Sequence, residues 1–289
     1  MAVEPEYIRP GSLDQALAAR SAHPDFAVLC GGTDLLVAAN KQPIPPGIID
    51  LFGLQSLCGV CRTGAAPGDD RGDTIVIGAA TTYADIIGSE LCQRELPALV
   101  AASREIGALQ IQARGTVGGN IATSSPVGDS LPVLLALDAS IEVASLRGRR
   151  QVPYSEFCTG YRQTALAEDE LIAAIRIPMP DPDAVQVWRK VGPRRAQSIS
   201  KVMMAAVARV DSARIAEIRI GLGAVADRPI RAYRTEAAVR GAEPGTAAAA
   251  ARAALAEEIR PIDDVRSTAR YRLRIAQNIV ARFVASLAG

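Results

Sequence analysis

Two pairs of adjacent glycines lie in segments whose residue types could bind a phosphate group. The first pair, Gly31-Gly32, is followed by Thr33-Asp34 and separates two short apolar runs. The second pair, Gly118-Gly119, lies in a hydroxyl-rich segment from Arg114 to Ser130. Glycine lets a backbone approach a ligand closely, so the N–H groups of such a loop can face an anion. A single pair is more simply explained as a tight turn between a strand and a helix; it is the presence of two pairs, the second in a hydroxyl-rich segment, that makes a binding role an equal alternative.

Polar side chains beside both pairs add hydrogen-bond donors that carry no charge. These donors are Thr33, Thr116, Thr123, Ser124 and the amide of Asn120. Two such loops could hold a diphosphate from both sides without lysine or arginine. Asp129 follows the second loop and could accept hydrogen bonds from ribose hydroxyls. It could also cap the apolar helix predicted over 131–137, and the two roles are compatible.

The common nucleotide-binding motifs are absent or stand in the wrong context. No G-x-x-x-x-G-K-[ST] sequence occurs, which excludes a P-loop protein. The stretch 221–226 has the letters of a dinucleotide fingerprint, but that motif must open a helix. Pro229 follows here and opposes a helix, so we predict a strand end and a turn.

Scarce residue types exclude further chemistry. His23 is the only histidine and lies in a predicted surface turn, which disfavours histidine-based catalysis and histidine-built metal sites. The five cysteines read as free thiols. Cys58 and Cys61 have metal-like spacing, but no second close pair completes a centre, so we predict no metal site. Lys190 is one of three lysines and could bind an anion or be a solvated strand-edge charge.

Length and composition indicate a folded protein of two domains, or of one large domain. The chain has 289 residues, of which 49% are hydrophobic and 22% charged, with a formal net charge of +1. Such an even balance gives no long-range attraction to nucleic acid or anionic membranes. We find no apolar run long enough for a transmembrane helix and expect no export signal at the N-terminus.

Hydrophobic periodicity and capping residues predict a mixture of helices and strands. Helices are predicted to begin at Ser12, Leu35, Thr82, Pro97, Leu131, Thr235, Thr246 and about Asp263. Strands are predicted over 27–30, 48–51, 74–79, 141–146 and 171–177, followed by three strands over 185–190, 200–210 and 215–225. The segment 114–130 is predicted to be irregular, and breakers at 64–73 and 178–182 mark turns or boundaries.

Several segments, in the same order, resemble one known family. They are Cys30–Leu35, Thr116–Ile121 with Gly128–Ser130, Phe157–Thr164, Asp169–Ile172 with Ile177-Pro178, Arg194–Val202 and Tyr271-Arg272. The family is the FAD-binding (medium) subunit of the molybdenum hydroxylases, of the xanthine dehydrogenase, aldehyde oxidoreductase and CO dehydrogenase types. The resemblance extends from about Tyr7 to Phe283.

The resemblance implies an α+β fold of the FAD-binding PCMH type, which is like that of vanillyl-alcohol oxidase. Two FAD-binding subdomains, 1–55 and 56–180, would precede a CO-dehydrogenase-flavoprotein-like C-terminal α+β domain, 181–289. That last domain would contain a three-stranded antiparallel sheet with helices.

The resemblance also implies which residues bind FAD. The first loop would contribute Leu29, Cys30, Gly31, Gly32, Thr33, Asp34 and Leu35, with the pyrophosphate on Gly31 to Asp34. The second loop would contribute Thr116, Gly118, Gly119, Asn120 and Thr123. Asp129 would face the ribose, Leu171 or Ile172 the isoalloxazine, and Lys190 the flavin or its phosphates. Tyr161 would lie near the isoalloxazine where an electron acceptor approaches, or else be a core aromatic residue.

The function implied by the resemblance is electron transfer within a multi-subunit oxidoreductase. The chain would accept electrons from a [2Fe-2S] small subunit and pass them to NAD, a quinone or oxygen, and NAD is favoured by Gly160–Arg162. Hydroxylation would occur at molybdopterin on a large subunit, in a cytoplasmic dimer of heterotrimers. A self-contained FAD-dependent oxidase or reductase, or a non-catalytic nucleotide-binding or assembly protein, are the alternatives.

Overall fold

A computed structural model describes residues 5–38, 43, 45–64, 72–194 and 197–289. These residues form sheets of three, five and four strands, a small hairpin, and helices packed on the sheets. The arrangement confirms the predicted α+β class. The predicted turn at 64–73, the end of the apolar run after Leu35 and the segment Arg194–Val202 lie partly outside the described residues.

The elements are numbered along the chain. The strands are β1 Glu6–Ile8, β2 Ala27–Leu29, β3 Gly47–Asp50, β4 Val60–Thr63, β5 Thr74–Gly78, β6 Ser140–Ser145, β7 Gly148–Pro153, β8 Cys158–Gly160, β9 Gln163–Thr164, β10 Leu171–Pro178, β11 Val185–Val191, β12 Val202–Asp211, β13 Arg214–Gly223 and β14 Ile230–Arg231. The helices are α1 Leu13–Ala22, α2 Leu35–Ala38, α3 Tyr83–Gly88, α4 Glu90–Glu95, α5 Pro97–Arg104, α6 Leu109–Gln112, α7 Val117–Thr123, α8 Leu131–Ala136, α9 Tyr154–Phe157, α10 Tyr233–Val239, α11 Pro244–Glu258 and α12 Ala269–Ser286.

The first sheet is parallel and presents the first glycine loop at the carboxyl end of β2. Its strand order is β1-β3-β2. Helix α1 begins at the predicted cap, where the Ser12 hydroxyl accepts a hydrogen bond from the backbone N–H of Gln15 at 3.2 Å. Ala16 and Leu17 of this helix pack with Ile49 of β3 in one buried cluster. The loop after β2 therefore leaves a sheet that is fixed by its own core.

The second sheet is antiparallel and separates two cores. Its strand order is β4-β5-β10-β6-β7. Leu171 of β10 packs in the cluster that contains α1, while Ile172 packs in the large cluster formed with α3, α5 and α8. Successive residues of a strand point to opposite faces, so β10 is covered on both sides. This burial explains the continuous apolar run of its sequence.

The C-terminal sheet packs on the preceding region through β12, a strand that is covered on both faces, as β10 is. Its order is β11-β12-β13-β14. Ala205 and Val207 of β12 face the large cluster of the preceding region, whereas Met204 and Ala206 face α11 and α12. The side chain of Arg219 on β13 donates to the carbonyl oxygen of Ala136 at 3.0 Å, at the end of α8. Strand β12 therefore contributes side chains to two hydrophobic cores, one on each face of the sheet.

The three predicted segments 1–55, 56–180 and 181–289 each contain one of these sheets. The boundaries themselves remain predictions. The C-terminal sheet has a fourth strand, β14, so the prediction of three strands was wrong. This strand pairs only two residues with Gly221 and Leu222, which is too short for a sequence pattern to reveal.

Two further sequence predictions were wrong. The segment 114–130 is not irregular throughout, because α7 forms within it. The last helix begins at Ala269, with Thr268 as its cap, and not near Asp263. The Asp263 carboxylate accepts a hydrogen bond from the Ala269 N–H at 2.5 Å, and that of Asp264 accepts one from the Arg266 N–H at 2.8 Å. Such side-chain bonds compete with helix formation.

The start of α3 positions the second glycine loop and has the predicted cap. The Thr82 hydroxyl accepts a hydrogen bond from the Asp85 N–H, and the Asp85 carboxylate accepts one from the Thr82 N–H, both at 3.1 Å. The next residue, Tyr83, donates its N–H to the carbonyl oxygen of Gly115 at 3.0 Å. The capping box therefore fixes the entry to α3 directly beside the loop.

We predict that Thr82→Ala lowers the free energy of unfolding by about 1 kcal/mol, because it removes the hydroxyl that accepts the Asp85 N–H and donates to the Asp85 carboxylate. Thr82→Ser is the matched control and should stay close to the wild type, since it keeps the hydroxyl. Urea unfolding followed by circular dichroism measures both. Equal stabilities of the alanine and serine variants would contradict the capping role.

Candidate functional site

The two glycine loops lie against each other through backbone contact. A Cβ atom added at Gly31 would lie 2.0 Å from the carbonyl oxygen of Arg114, which precedes the second loop. One added at Gly118 would lie 2.6 Å from the carbonyl oxygen of Ala79. No side chain fits at such distances. These two glycines are therefore required for the packing of the chain upon itself, before any ligand is considered.

Side chains join the same loops to a third segment, the hairpin of β8 and β9. Thr123 Oγ1 donates to Asp34 Oδ2 at 3.3 Å, and Arg162 Nη1 lies 3.8 Å from the same carboxylate oxygen. Ser124 Oγ donates to the Gln163 carbonyl oxygen at 3.3 Å. We call residues 30–35, 114–124 and 160–163 together the loop cluster. The structure thus brings both predicted loops to one place and adds the hairpin to them.

Helix α7 uses the backbone donors of the second loop. The N–H groups of Val117, Gly118, Gly119 and Asn120 donate to Thr81 O, Ala79 O, Thr116 Oγ1 and Thr116 O at 2.9–3.2 Å. The expectation that the N–H groups of Gly118 and Gly119 point outward to an anion was therefore wrong. The N–H groups of residues 117–120 are not available to a ligand, whereas the Asn120 side chain of this loop still is.

The first loop keeps its backbone donors available. Within the described ranges, the N–H groups of Gly32, Thr33, Asp34 and Leu35 donate to no acceptor. Gly32 has φ +75°, a left-handed conformation that glycine adopts without strain, and its carbonyl oxygen accepts the Leu36 N–H at 3.0 Å. Consecutive free N–H groups are suited to a phosphate group. This loop therefore fits the diphosphate of a dinucleotide cofactor.

Asn120 adds a side-chain donor beside the free N–H groups. Its Oδ1 accepts a hydrogen bond from Ser130 Oγ at 3.0 Å, and the Ser130 hydroxyl lies 3.1 Å from the hydroxyl of Tyr83. These bonds fix the orientation of the amide. Its nitrogen donates to no acceptor in the part of the chain that the structure describes. The predicted binding role of Asn120 is compatible with this arrangement.

Asp129 and Lys190 form a buried ion pair. Lys190 Nζ lies 2.7 Å from Asp129 Oδ2, and only 3% of the lysine side chain is exposed. Ser200 Oγ donates to Asp129 Oδ1 at 2.7 Å, and Trp188 Nε1 donates to the Asp129 carbonyl oxygen at 3.1 Å. Burial raises the pKa of Asp129, while the Lys190 ammonium acts in the opposite direction.

These contacts exclude two of the roles that the sequence left open. Lys190 is not a solvated edge charge, and the Asp129 carboxylate does not cap α8, whose cap residue Ser130 makes no side-chain cap bond. The carboxylate of Asp129 and the ammonium of Lys190 instead join the second sheet region to the C-terminal sheet. The predicted contacts of both residues with FAD remain predictions.

The remaining predicted flavin contacts differ in exposure. Tyr161, at the tip of the hairpin, is 64% exposed, so the core-aromatic alternative was wrong. Leu171 and Ile172 are buried in two different cores. Their side chains are occupied by packing, which does not support the expected contact with an isoalloxazine ring. Leu29 ends β2 and Cys30 begins the loop, and burial raises the pKa of the Cys30 thiol.

Two residues of the site were not singled out from the sequence. Arg162 reaches Asp34 from the hairpin, and Ser200 reaches Asp129 from the C-terminal region. Both lie within segments that resemble the family, so the resemblance pointed to these segments but not to the individual residues. Their partners are 128 and 71 positions away (162 − 34 and 200 − 129), which no local pattern can reveal.

Cysteine and acidic side chains give no metal centre in the described residues. No group of three or more histidine, cysteine, aspartate and glutamate side chains there is arranged to hold a metal ion. Cys61 is exposed on β4, and the Cys58 thiol donates to the Leu54 carbonyl oxygen at 3.3 Å. Of the helices in the described ranges, none combines the length and apolar character needed to cross a membrane.

An α+β protein in which one loop offers free backbone donors and a second loop adds a side-chain donor is suited to a dinucleotide cofactor. Comparison with known families gives the particular one. A family described as "FAD binding domain in molybdopterin dehydrogenase" matches residues 2–180, and one described as "CO dehydrogenase flavoprotein C-terminal domain" matches residues 188–287. The chain belongs to the FAD-binding medium subunits of the molybdenum hydroxylases.

Individual relatives cover nearly the whole chain. A putative xanthine dehydrogenase FAD-binding subunit, XdhB, from Escherichia coli (strain K12) is 32% identical over 282 residues, which are 96% of this chain and 94% of that protein. The nicotine 6-hydroxylase medium subunit of Paenarthrobacter nicotinovorans is 31% identical over 281 residues, 96% of this chain and 95% of that one.

A solved structure shows the same fold. A carbon monoxide dehydrogenase from Hydrogenophaga pseudoflava, which lacks the Mo-pyranopterin moiety of its molybdenum cofactor, matches with a TM-score of 0.91 and 30% identity. The match covers 100% of this chain and 99% of that chain. The chain is thus an oxidoreductase subunit with an FAD-binding domain, as the resemblance implied.

We predict that Asp129→Asn and Lys190→Met each lower the free energy of unfolding by about 3–5 kcal/mol, because each leaves the other charge buried without a partner. The double variant should be more stable than the sum of the two losses implies. Urea titration of the full chain measures all three variants.

The matched control breaks an exposed ion pair. Arg62→Gln removes the contact with Asp73, in which both side chains are at least 40% exposed, and should cost less than about 1 kcal/mol. If the two buried-pair variants were no less stable than Arg62→Gln, the pair would not hold the two regions together.

Proposed function

We propose that this chain carries FAD as the electron-transfer subunit of a xanthine dehydrogenase-like enzyme with several subunits. It accepts electrons from a [2Fe-2S] partner and passes them to NAD, a quinone or oxygen. The observation that carries the proposal is the row of free N–H groups at residues 32–35 beside the Asn120 amide. The family relationship supports FAD as the cofactor placed there.

FAD, when bound, supplies chemistry that can exchange one or two electrons. The chain itself has to bind the cofactor and fix its position. The first loop provides backbone donors to the diphosphate, and Asn120 provides a side-chain donor from the second loop. No side chain of the loop cluster needs to act as an acid, a base or a nucleophile. The role of the protein is therefore to hold the cofactor within reach of two different electron partners.

The names of two relatives support the proposal that this chain has partner subunits. Two relatives are named as an FAD-binding subunit and a medium subunit, which implies further chains in those enzymes. We propose a [2Fe-2S] small subunit and a molybdopterin large subunit as partners here, in a cytoplasmic dimer of heterotrimers. The substrate is hydroxylated on the large subunit. The division of this chain into 1–55, 56–180 and 181–289 belongs to the same proposal.

The exposed side of the loop cluster suits an approaching electron acceptor. Tyr161 and Arg162 stand at the tip of the hairpin, and 64% of Tyr161 is exposed. An exposed aromatic side chain is suited to a nucleotide, because it offers a stacking surface to a base. This favours NAD among the acceptors.

We predict that the purified chain shows the visible absorption of an oxidised flavin, and that acid releases FAD. The purified chain should not be reduced by purines or aldehydes alone, but should be reduced when its two partner subunits and their substrate are added. Visible spectra in the absence of oxygen record both steps.

Two results would contradict the proposal in different ways. Colourless, folded protein that also fails to bind added FAD would favour a non-catalytic nucleotide-binding or assembly role. Rapid reduction of the isolated, FAD-loaded chain by a simple organic substrate would favour a self-contained flavin enzyme.

A further inference from the structure

The loop cluster has to hold a doubly negative diphosphate but has little positive charge of its own. The segments 29–37 and 115–130 contain no lysine or arginine. Arg114 precedes the second loop, but its guanidinium stacks on the ring of Phe52, 3.7 Å from the ring centroid. Backbone dipoles can bind an anion without a formal charge. A cation nearby would nevertheless strengthen the binding considerably.

Asp34 adds a negative charge to a site that already has few cations. Its carboxylate is 56% exposed and lies in the row of free N–H groups, where it would repel a diphosphate. The acceptor Oδ2 of Asp34 has two contacts, with Thr123 Oγ1 at 3.3 Å and with Arg162 Nη1 at 3.8 Å. The carboxylate of Asp34 has a role at this position if it holds Arg162 beside the loop.

Arg162 is placed so that it can move from the carboxylate to a phosphate. Its distance of 3.8 Å from Asp34 is too long for a hydrogen bond, and 48% of its side chain is exposed. Ion pairs of this kind contribute little and are easily exchanged. The guanidinium has a planar set of donors that can bind two phosphate oxygens at once.

The backbone of the hairpin keeps Arg162 beside the loop. Arg162 has φ +52°, a left-handed conformation that is uncommon for residues other than glycine and often occurs where ligands are held. The bond from Ser124 Oγ to the Gln163 carbonyl oxygen ties the hairpin to the second loop. The arginine side chain can therefore change partner without any movement of the hairpin as a whole.

We propose that Arg162 is the cation that binds the diphosphate of FAD, and that Asp34 positions this arginine before the cofactor enters. The inference rests on the proposed function, since it assumes that FAD binds at the loop cluster. It changes the role predicted for Asp34 from a direct pyrophosphate contact to a residue that acts through Arg162.

The test is the affinity of the full-length apoprotein for FAD, measured by quenching of flavin fluorescence at low and high salt. Arg162→Gln should weaken binding by about tenfold to a hundredfold, the range expected when a charge-assisted hydrogen bond is lost. It should also reduce the salt dependence of the affinity, since one charge contact is gone. Arg162→Lys should recover part of the loss, because it keeps the charge without the planar donor set.

Arg228→Gln is the matched control. Arg228 is 42% exposed, pairs with Asp227, and places Nη1 3.5 Å from the carbonyl oxygen of Thr159 on the same hairpin. Its loss removes an exposed arginine that contacts the hairpin but leaves the loop cluster unchanged, so FAD affinity should stay at the wild-type level. Thermal melts of the apoproteins establish that all variants are folded.

The Asp34→Asn background distinguishes a direct contact from simple neutralisation of Asp34. With a direct contact, Arg162→Gln weakens FAD binding in both backgrounds. A loss that disappears in the Asp34→Asn background, or an affinity of Arg162→Gln equal to that of Arg228→Gln, would overturn the inference while the proposed function stands. Failure of the folded wild-type chain to bind FAD would instead refute the proposed function and this inference with it.

Discussion

Lys190 and Asp129 bury opposite charges where the C-terminal sheet meets the rest of the chain, at a separation of 2.7 Å. Neither charge could remain at this depth without the other. Ser200 and Trp188 complete the contacts of Asp129, so the second glycine loop is followed at once by a segment that is held from several sides. The position of the loop cluster therefore depends on a contact between two regions, in addition to the fold of each.

Backbone packing gives the two glycine loops different roles. Gly118 lies directly on the Ala79 carbonyl group, and the first N–H groups of α7 are all bonded within the protein. The second loop is thus a rigid support that offers side chains, among them Asn120. The first loop keeps the free N–H groups of Gly32 to Leu35 and is the part that can receive a phosphate. Similar glycine pairs in the sequence have different tasks in the structure.

The sequence predictions were accurate where the interactions join residues that are close together in the chain. Ser12 and Thr82 were identified as helix caps because a cap bonds to an N–H only three residues away. The long apolar strands were found because burial on one or both faces leaves a pattern along the chain. Helix α7 was missed although Thr116 caps it in the same way, because Gly118 and Gly119 have a low helix propensity and the N–H groups of Val117 and Gly118 bond to Thr81 and Ala79, which are distant in sequence.

The sequence by itself determined the α+β class, most of the helices and strands, the family, and the residue types that could bind a dinucleotide. Only the tertiary structure decided which donors are free, that Asp129 pairs with Lys190, and that Arg162 stands beside Asp34. The reason is physical. Periodicity and caps record contacts between near neighbours in the chain, whereas the partner of a buried charge or a loop N–H is chosen by the packing of distant segments.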